Sequence, residues 1–199
     1  MIKINILRGT YSRREFHLKW SYWNLISYFK KEFEDLKIEF KFFTSISNPR
    51  IYDCDFLFLD STGFPQIKEK GKVLTYVDIE FLKEISSKNN NLIWFDLRDS
   101  AGTTQFEVLP YVKKYVKRQL YKDWNFYKKQ LYGGRYYTDF YNKHFGIKDE
   151  EEYHYELLDD KYQKKIILGW NLGVFRYFNW IDFNKYDRYL ENLKLLNYC

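Results

Sequence analysis

The sequence predicts an α/β protein. A single domain over residues 1–199 is built on an open, doubly wound (Rossmann-like), mostly parallel sheet flanked by helices, with an irregular, aromatic-rich helical part after residue 105. Three observations point this way. Short apolar runs alternate with amphipathic stretches, each run ends in polar residues, and no repeat or low-complexity linker divides the chain.

The first run, Ile2 to Leu7, alternates Ile2, Ile4 and Ile6 with Lys3 and Asn5 and ends at Arg8-Gly9-Thr10, so it reads as a strand and a polar turn. Apolar residues then recur at Tyr22, Ile26, Phe29, Phe33 and Leu36, one face of a helix. Leu36 to Phe43 follows as a second strand with Ile38, Phe40 and Phe42 on one side, completing a parallel crossover unit. Asp55 to Asp60 (DFLFLD) is almost wholly apolar, as suits a strand covered on both faces. A loop with Gly63, Pro65 and Gly71 leads to a helix over about Val77 to Ser87, and Asn91 to Asp96 (NLIWFD) is the next strand. Beyond Thr104 the rhythm changes. Val108, Val112, Tyr115 and Leu120 predict a helix from about Pro110, a residue tolerated in a first turn. Asp123 to Phe145 resolves poorly into elements, Lys165 to Trp170 (KIILGW) reads as a strand, and Phe183 to Tyr198 as an amphipathic helix.

Composition narrows the class. With Phe 18, Tyr 20 and Trp 6 in 199 residues, against nine Gly and three Pro, collagen-like and disordered readings are excluded. Ala101 is the single alanine, a bias of AT-rich coding that discounts any aromatic cluster as a ligand signal. Cys54 falls in a predicted strand, Cys199 is the last residue, and neither sits in a C-x-x-C pair, so a reducing compartment is expected. MIKINILRGT lacks a signal-peptide core and no window is long and apolar enough to span a bilayer, so the expectation is a soluble, cytoplasmic protein. His17, His144 and His154 lack zinc-ligand spacing, and no metal is expected.

The formal net charge is +6, and it is concentrated. Between Pro110 and Arg135 stand Lys113, Lys114, Lys117, Arg118, Lys122, Lys128, Lys129 and Arg135 against the single acid Asp123. Lys148 to Asp160 reverses the sign, with seven acids against Lys148. A dipolar surface of this kind attracts phosphate-bearing ligands or an anionic membrane.

In doubly wound sheets ligands gather beyond the carboxyl ends of the strands. That nominates Arg8-Gly9-Thr10, Asp60 to Gly63, and Asp96 to Thr104. No complete G-x-G-x-x-G or P-loop is present, which disfavours a conventional dehydrogenase or NTPase. The stretch FDLRDSAGTTQFEVLP, Phe95 to Pro110, is the most informative. Asp96, Asp99, Ser100, Gly102, Thr103 and Thr104 can supply a proton acceptor and backbone donors together, or they can simply cap a turn.

FDLRDSAGTTQFEVLPYVKKYVKRQLYKD, then YGGRYYTDFY, then IILGWNLGVFRYF resembles the amino-terminal half of bacterial glycosyltransferases of the two-Rossmann-domain (GT-B) type from capsule and surface-polysaccharide clusters. The resemblance runs from Ile2 to about Phe178. It implies an acceptor-facing domain with no bound cofactor of its own and no essential metal. The nucleotide-sugar donor is then expected in a carboxyl-terminal domain beyond Cys199, and this chain alone is expected to be inactive. Within that reading Asp96 and Asp99 would position or deprotonate an acceptor hydroxyl. Arg8, Gly9, Thr10, Ser100, Gly102, Thr103, Thr104, Arg135, Trp170 and Asn171 would line the acceptor site. Expected partners are a sugar or lipid-linked acceptor, a donor-side domain or a second copy of the chain, and peripheral contact with the inner membrane face. The competing readings are a nucleic-acid-binding or non-catalytic docking module using the basic, aromatic segment 110–145, with nucleic acid the less expected partner. For the lysines of that segment the alternative is a solvated helix face. For Trp124, Tyr127, Tyr132, Tyr136, Tyr137 and Tyr141 it is core packing rather than sugar stacking.

Overall fold

A computed structural model describes residues 1–8, 22–64, 66–68, 75–148 and 155–170. Its centre is a six-stranded, all-parallel sheet. The strands are β1 (Ile2–Leu7), β2 (Ile38–Phe43), β3 (Phe56–Asp60), β6 (Leu92–Asp96), β7 (Lys114–Lys117) and β8 (Ile166–Leu168), in the spatial order β2-β1-β3-β6-β7-β8. A separate antiparallel pair, β4 (Gln66–Lys68) and β5 (Thr75–Val77), lies in the stretch read from sequence as a plain loop running into a helix. The helices are α1 (Lys30–Asp35), which continues helical residues 22–28, α2 (Ile79–Lys88) and α3 (Tyr136–Phe145).

Strand alternation sorts the apolar side chains into two cores, one on each side of the sheet. Leu7, Leu57, Leu59, Leu92, Trp94, Tyr115 and Ile166 face α2, whose Leu82 and Ile85 are fully covered. Ile4, Ile6, Phe95 and Val116 face Tyr22, Trp23 and Ile26 of the helical residues 22–28. Both faces are thus covered, as a parallel sheet requires. Asp78 caps α2 by accepting the Phe81 N–H at 3.0 Å, which begins the helix two residues after the predicted start.

Two expectations are corrected. The predicted helix from Pro110 is a 3-10 segment, Phe106–Tyr111, followed by strand β7. The three- and four-residue spacing of Val108, Val112 and Tyr115 mimics a helix, but Pro110 denies a backbone N–H and Tyr115 and Val116 fill the two cores from adjacent strand positions. Cys54 lies ahead of β3 instead of within it, its thiol donating to the Ile51 carbonyl at 3.3 Å. Gly9, Thr10, Asn171 and the predicted helix Phe183 to Tyr198 lie outside the described residues.

Candidate functional site at the carboxyl rim

Because the strands are parallel and in register, their ends align. Leu7 stands opposite Leu59, Asp60 opposite Phe95, and Asp96 opposite Lys117. Arg8, Asp60, Ser61, Asp96 and Lys117 therefore line one rim of the sheet. The strand order reverses between β1 and β3, the place where open α/β sheets leave a crevice.

Alternation divides this rim into two environments. Asp60 turns toward the helical residues 22–28. Its Oδ2 accepts the Trp23 indole N–H at 2.8 Å, and its Oδ1 accepts the Thr62 amide at 2.8 Å and the Thr62 hydroxyl at 2.6 Å. This carboxylate closes the turn after β3. Arg8, also buried, lies over the Phe42 ring at 5.6 Å.

Asp96 and Lys117 turn to the other face, and both are fully buried. Asp96 Oδ2 accepts the Lys117 ammonium at 3.0 Å and the Tyr115 hydroxyl. Its Oδ1 accepts the Arg98 amide at 3.0 Å and the Arg98 Nε–H at 3.2 Å. Lys117 also donates to the Thr103 carbonyl at 2.7 Å, and the Tyr115 oxygen accepts the Gln105 amide at 3.0 Å. Burial pushes the Asp96 carboxyl up, but the charges of Arg98 and Lys117 and the Tyr115 hydroxyl outweigh it and hold the group down at about 2. The proton of Tyr115 is correspondingly hard to remove, first through burial and then through the neighbouring Asp96 charge.

One carboxylate is shared by two cations, which leaves the cluster an excess of positive charge. Arg98 Nη2 is buried with no hydrogen-bond partner among the described residues, and the Arg98 guanidinium packs against the Tyr155 ring at 5.6 Å. An orphaned guanidinium N–H costs free energy that an anionic oxygen would recover. Near Arg98, Glu107 is pushed up to about 7, by burial first, with the Arg98 charge opposing.

The loop after β6 folds over this cluster. Ser100 adopts φ +71, a left-handed conformation unusual for a residue with a side chain, and its hydroxyl accepts the Gly102 amide at 3.3 Å. The Thr103 hydroxyl donates to the Asp99 and Ser100 carbonyls, and Thr103 and Thr104 are buried. The Asp99 side chain is 99% exposed and pairs with Arg118. Gly102 permits a close approach, since a Cβ there would overlap the Gly134 carbonyl and the Tyr121 hydroxyl and crowd the Arg135 Cα. Arg135, whose guanidinium lies over the Tyr137 ring at 5.5 Å, is thereby held beside the loop.

The rim thus brings together Asp96, Asp99, Ser100, Gly102, Thr103 and Thr104, with Arg135 alongside, whereas Arg8 stands at the same rim on the other face, over Phe42. Trp170 goes elsewhere. It stacks on Tyr22 at 4.7 Å on the opposite face and donates its indole N–H to the Tyr22 carbonyl at 2.8 Å. Sequence reasoning passed over Arg98 and Tyr115 as site residues and saw Lys117 as one of a run of surface lysines. The available signal was Arg98 in the D-L-R-D stretch, two positions past Asp96, where a side chain can turn back onto the strand end.

Among the described residues no group of His, Cys, Asp and Glu could hold a metal ion, and no helix is long and apolar enough to cross a membrane. Fold and rim together define a doubly wound, Rossmann-like α/β protein with a buried, cation-rich cluster at the carboxyl ends of its strands. Comparison with known protein families, with curated proteins and with solved structures found no match for this chain.

Proposed function

We propose that the chain is the acceptor-side domain of a GT-B type glycosyltransferase for cell-surface polysaccharide, taking a phosphate-bearing sugar acceptor at the carboxyl rim. The observation that carries this reading is the Asp96 cluster. A buried carboxylate fixes Arg98 and Lys117 while Arg98 Nη2 stays without a partner among the described residues, beside a loop of hydroxyl and amide groups. Guanidinium pairs with phosphate oxygens, and the neighbouring polar loop suits a sugar hydroxyl.

The roles follow from geometry. Asp96, occupied by four donors and held at about 2, is a poor base and acts as a positioning residue for the two cations. Asp99 is the accessible carboxylate, and it is the one that can take an acceptor hydroxyl proton. Arg118 pairs with one of its oxygens and leaves the second toward solvent.

Calorimetric titration with a short-chain polyprenyl-diphosphate sugar tests the reading. Saturable binding to the wild type that weakens at least about tenfold in Arg98→Ala supports it, the loss expected for one charge-assisted hydrogen bond. Equal binding by both proteins, or none by either, overturns it. Sugar transfer is expected only when a donor-side domain is supplied.

A further inference from the structure

We propose that the outer face of α3 is a docking surface that seats the protein on an anionic lipid bilayer. A surface helix ordinarily turns its apolar residues inward and its polar ones to water. In α3 the order is reversed. Asp139 is its one buried residue, while Tyr136, Tyr137, Phe140, Tyr141 and Phe145, with Ile147 just past the helix, are 39–66% exposed.

Hydrogen bonds produce the inversion. Asp139 accepts the Tyr132 amide at 3.0 Å and the Lys143 ammonium at 2.7 Å, and the half-buried Thr138 hydroxyl donates to the Tyr132 carbonyl at 2.6 Å. These polar side chains turn toward Tyr132–Gly134, the element against which α3 chiefly packs. The aromatic positions 136–137, 140–141 and 145 recur at about one helical turn, so they share the opposite, outward side.

The rings make one ridge. Phe140 meets Tyr141 at 5.6 Å and Phe145 at 6.3 Å, Tyr141 meets Phe145 at 5.9 Å, and Tyr136 extends the ridge to Phe126 at 5.2 Å. One face of Phe140 is already covered by His144, stacked at 4.2 Å. Rings locked against one another offer few open faces on which a base could stack. They suit the interfacial zone of a bilayer, where an apolar helix face sinks to the acyl boundary and tyrosine hydroxyls stay in the headgroup layer.

Charge selects the partner. From Lys129 to Lys148 the chain holds Lys129, Arg135, Lys143 and Lys148 against a single acid, Asp139, and that acid is turned inward. Lys129 lies over the Phe126 ring at 5.9 Å and Arg135 over the Tyr137 ring at 5.5 Å, so cations border the ridge itself. Such a border repels a second copy of the same face and attracts anionic headgroups. Asp149 to Glu152, which follow Lys148, lie outside the described residues, and the vesicle measurement sets their repulsion against these cations. Because Gly102 lies against the Arg135 backbone, a seated α3 holds the carboxyl rim close to the bilayer.

Co-sedimentation of the purified chain with vesicles is the test. Binding is expected to phosphatidylcholine vesicles that contain phosphatidylglycerol, and at least about tenfold less to phosphatidylcholine alone. Phe140→Ser/Phe145→Ser is expected to weaken binding to the mixed vesicles by about tenfold or more, and Lys129→Glu/Lys148→Glu to weaken it as well. Phe145→Trp is expected to shift its emission to the blue on the same vesicles, which purely electrostatic adsorption would not cause. All four positions are exposed, and far-UV circular dichroism checks that each variant folds. Absence of binding, equal binding to both kinds of vesicle, binding indifferent to the phenylalanine pair, or an unshifted tryptophan would each overturn the proposal. So would a lipid-free dimer, seen by sedimentation velocity, that the phenylalanine pair dissolves. The proposal goes beyond the sugar-transfer reading and can fail separately from it, since binding of a diphosphate sugar at Arg98 is measured without vesicles.

Discussion

Asp96 and Glu107 lie eleven residues apart in sequence, and the protein drives their acidities in opposite directions. Asp96 is held at about 2, below its ordinary 3.8, so its contribution to stability is complete above about pH 4 and is lost as the pH falls toward 2. The integrated effect is about 2 kcal/mol. Glu107 is raised from 4.5 to about 7, so the fold prefers it protonated. Its contribution is complete below about pH 4.5 and is lost as the pH rises through 7, again by about 2 kcal/mol after allowing for its partial exposure. Chemical denaturation across pH should therefore show stability falling on both sides of a maximum near pH 4 to 5. In Glu107→Gln the alkaline decline should flatten, making the variant the more stable protein at pH 8 and no different near pH 4. An unchanged alkaline limb would show that Glu107 ionises freely. Neither shift was legible in the sequence. Lys117, which helps to set Asp96, stands 21 residues along the chain and becomes a neighbour only through the register of β6 on β7.

At the scale of elements, what the sequence revealed follows from period. β1, β2, β3, β6 and α2 each carry a run long enough for alternation or helical spacing to show, and the structure places them within a residue or two of the predicted bounds. β7 has only four residues, two of them lysines, and no period can be read from so short a run. Lysine is normally solvated, so a lysine with no exposure was indistinguishable from its neighbours. The segment around α3 was obscure for another reason. It is held by point contacts, in which the Asp139 carboxylate accepts the Tyr132 amide at 3.0 Å and the Lys143 ammonium at 2.7 Å, and not by an apolar stripe. Tyr127 is core, whereas Tyr136, Tyr137 and Tyr141 are about half exposed, so the packing reading holds for the first and not for the other three. Element-level coupling also gives a prediction. The loop after β6 and the turn before α3 touch at Gly102, and Gly102→Ala must push backbone away from backbone. The variant is expected to lose about 1–3 kcal/mol in urea unfolding, the range for overpacking at a tight contact. Ser100→Gly, which removes a strained φ at the same loop, is expected to cost far less. Equal losses in the two variants would mean that the contact at Gly102 yields freely.

For the whole molecule, the placement of charge bears on the proposed sugar-phosphate reading and on its nucleic-acid alternative. In the sequence the basic segment 110–135 looks like one patch, yet β7 threads it through the sheet and separates its members. Lys113 lies at the amino-terminal rim and donates to Asn91 at 2.7 Å, whereas Lys117 and Arg118 reach the carboxyl rim. Lys117 is sealed inside, Arg118 is engaged with Asp99, Lys128 pairs with Asp160, and Lys114 donates to the Lys164 carbonyl at 2.9 Å. A strand bound along a groove needs several cations to act together, and each phosphate neutralised steepens the fall of affinity with salt. Dispersed cations cannot do this. A salt titration of single-stranded oligonucleotide binding should therefore give a shallow slope of log affinity on log salt, of about one phosphate contact, with binding gone near physiological ionic strength. A compact diphosphate at Arg98 should behave differently, because a half-buried guanidinium in a low-dielectric cluster is screened far less than exposed lysines. A steep oligonucleotide slope, equivalent to several phosphates, would mean that the basic groups cooperate in solution, and would move the functional assignment from the Asp96 cluster to segment 110–145.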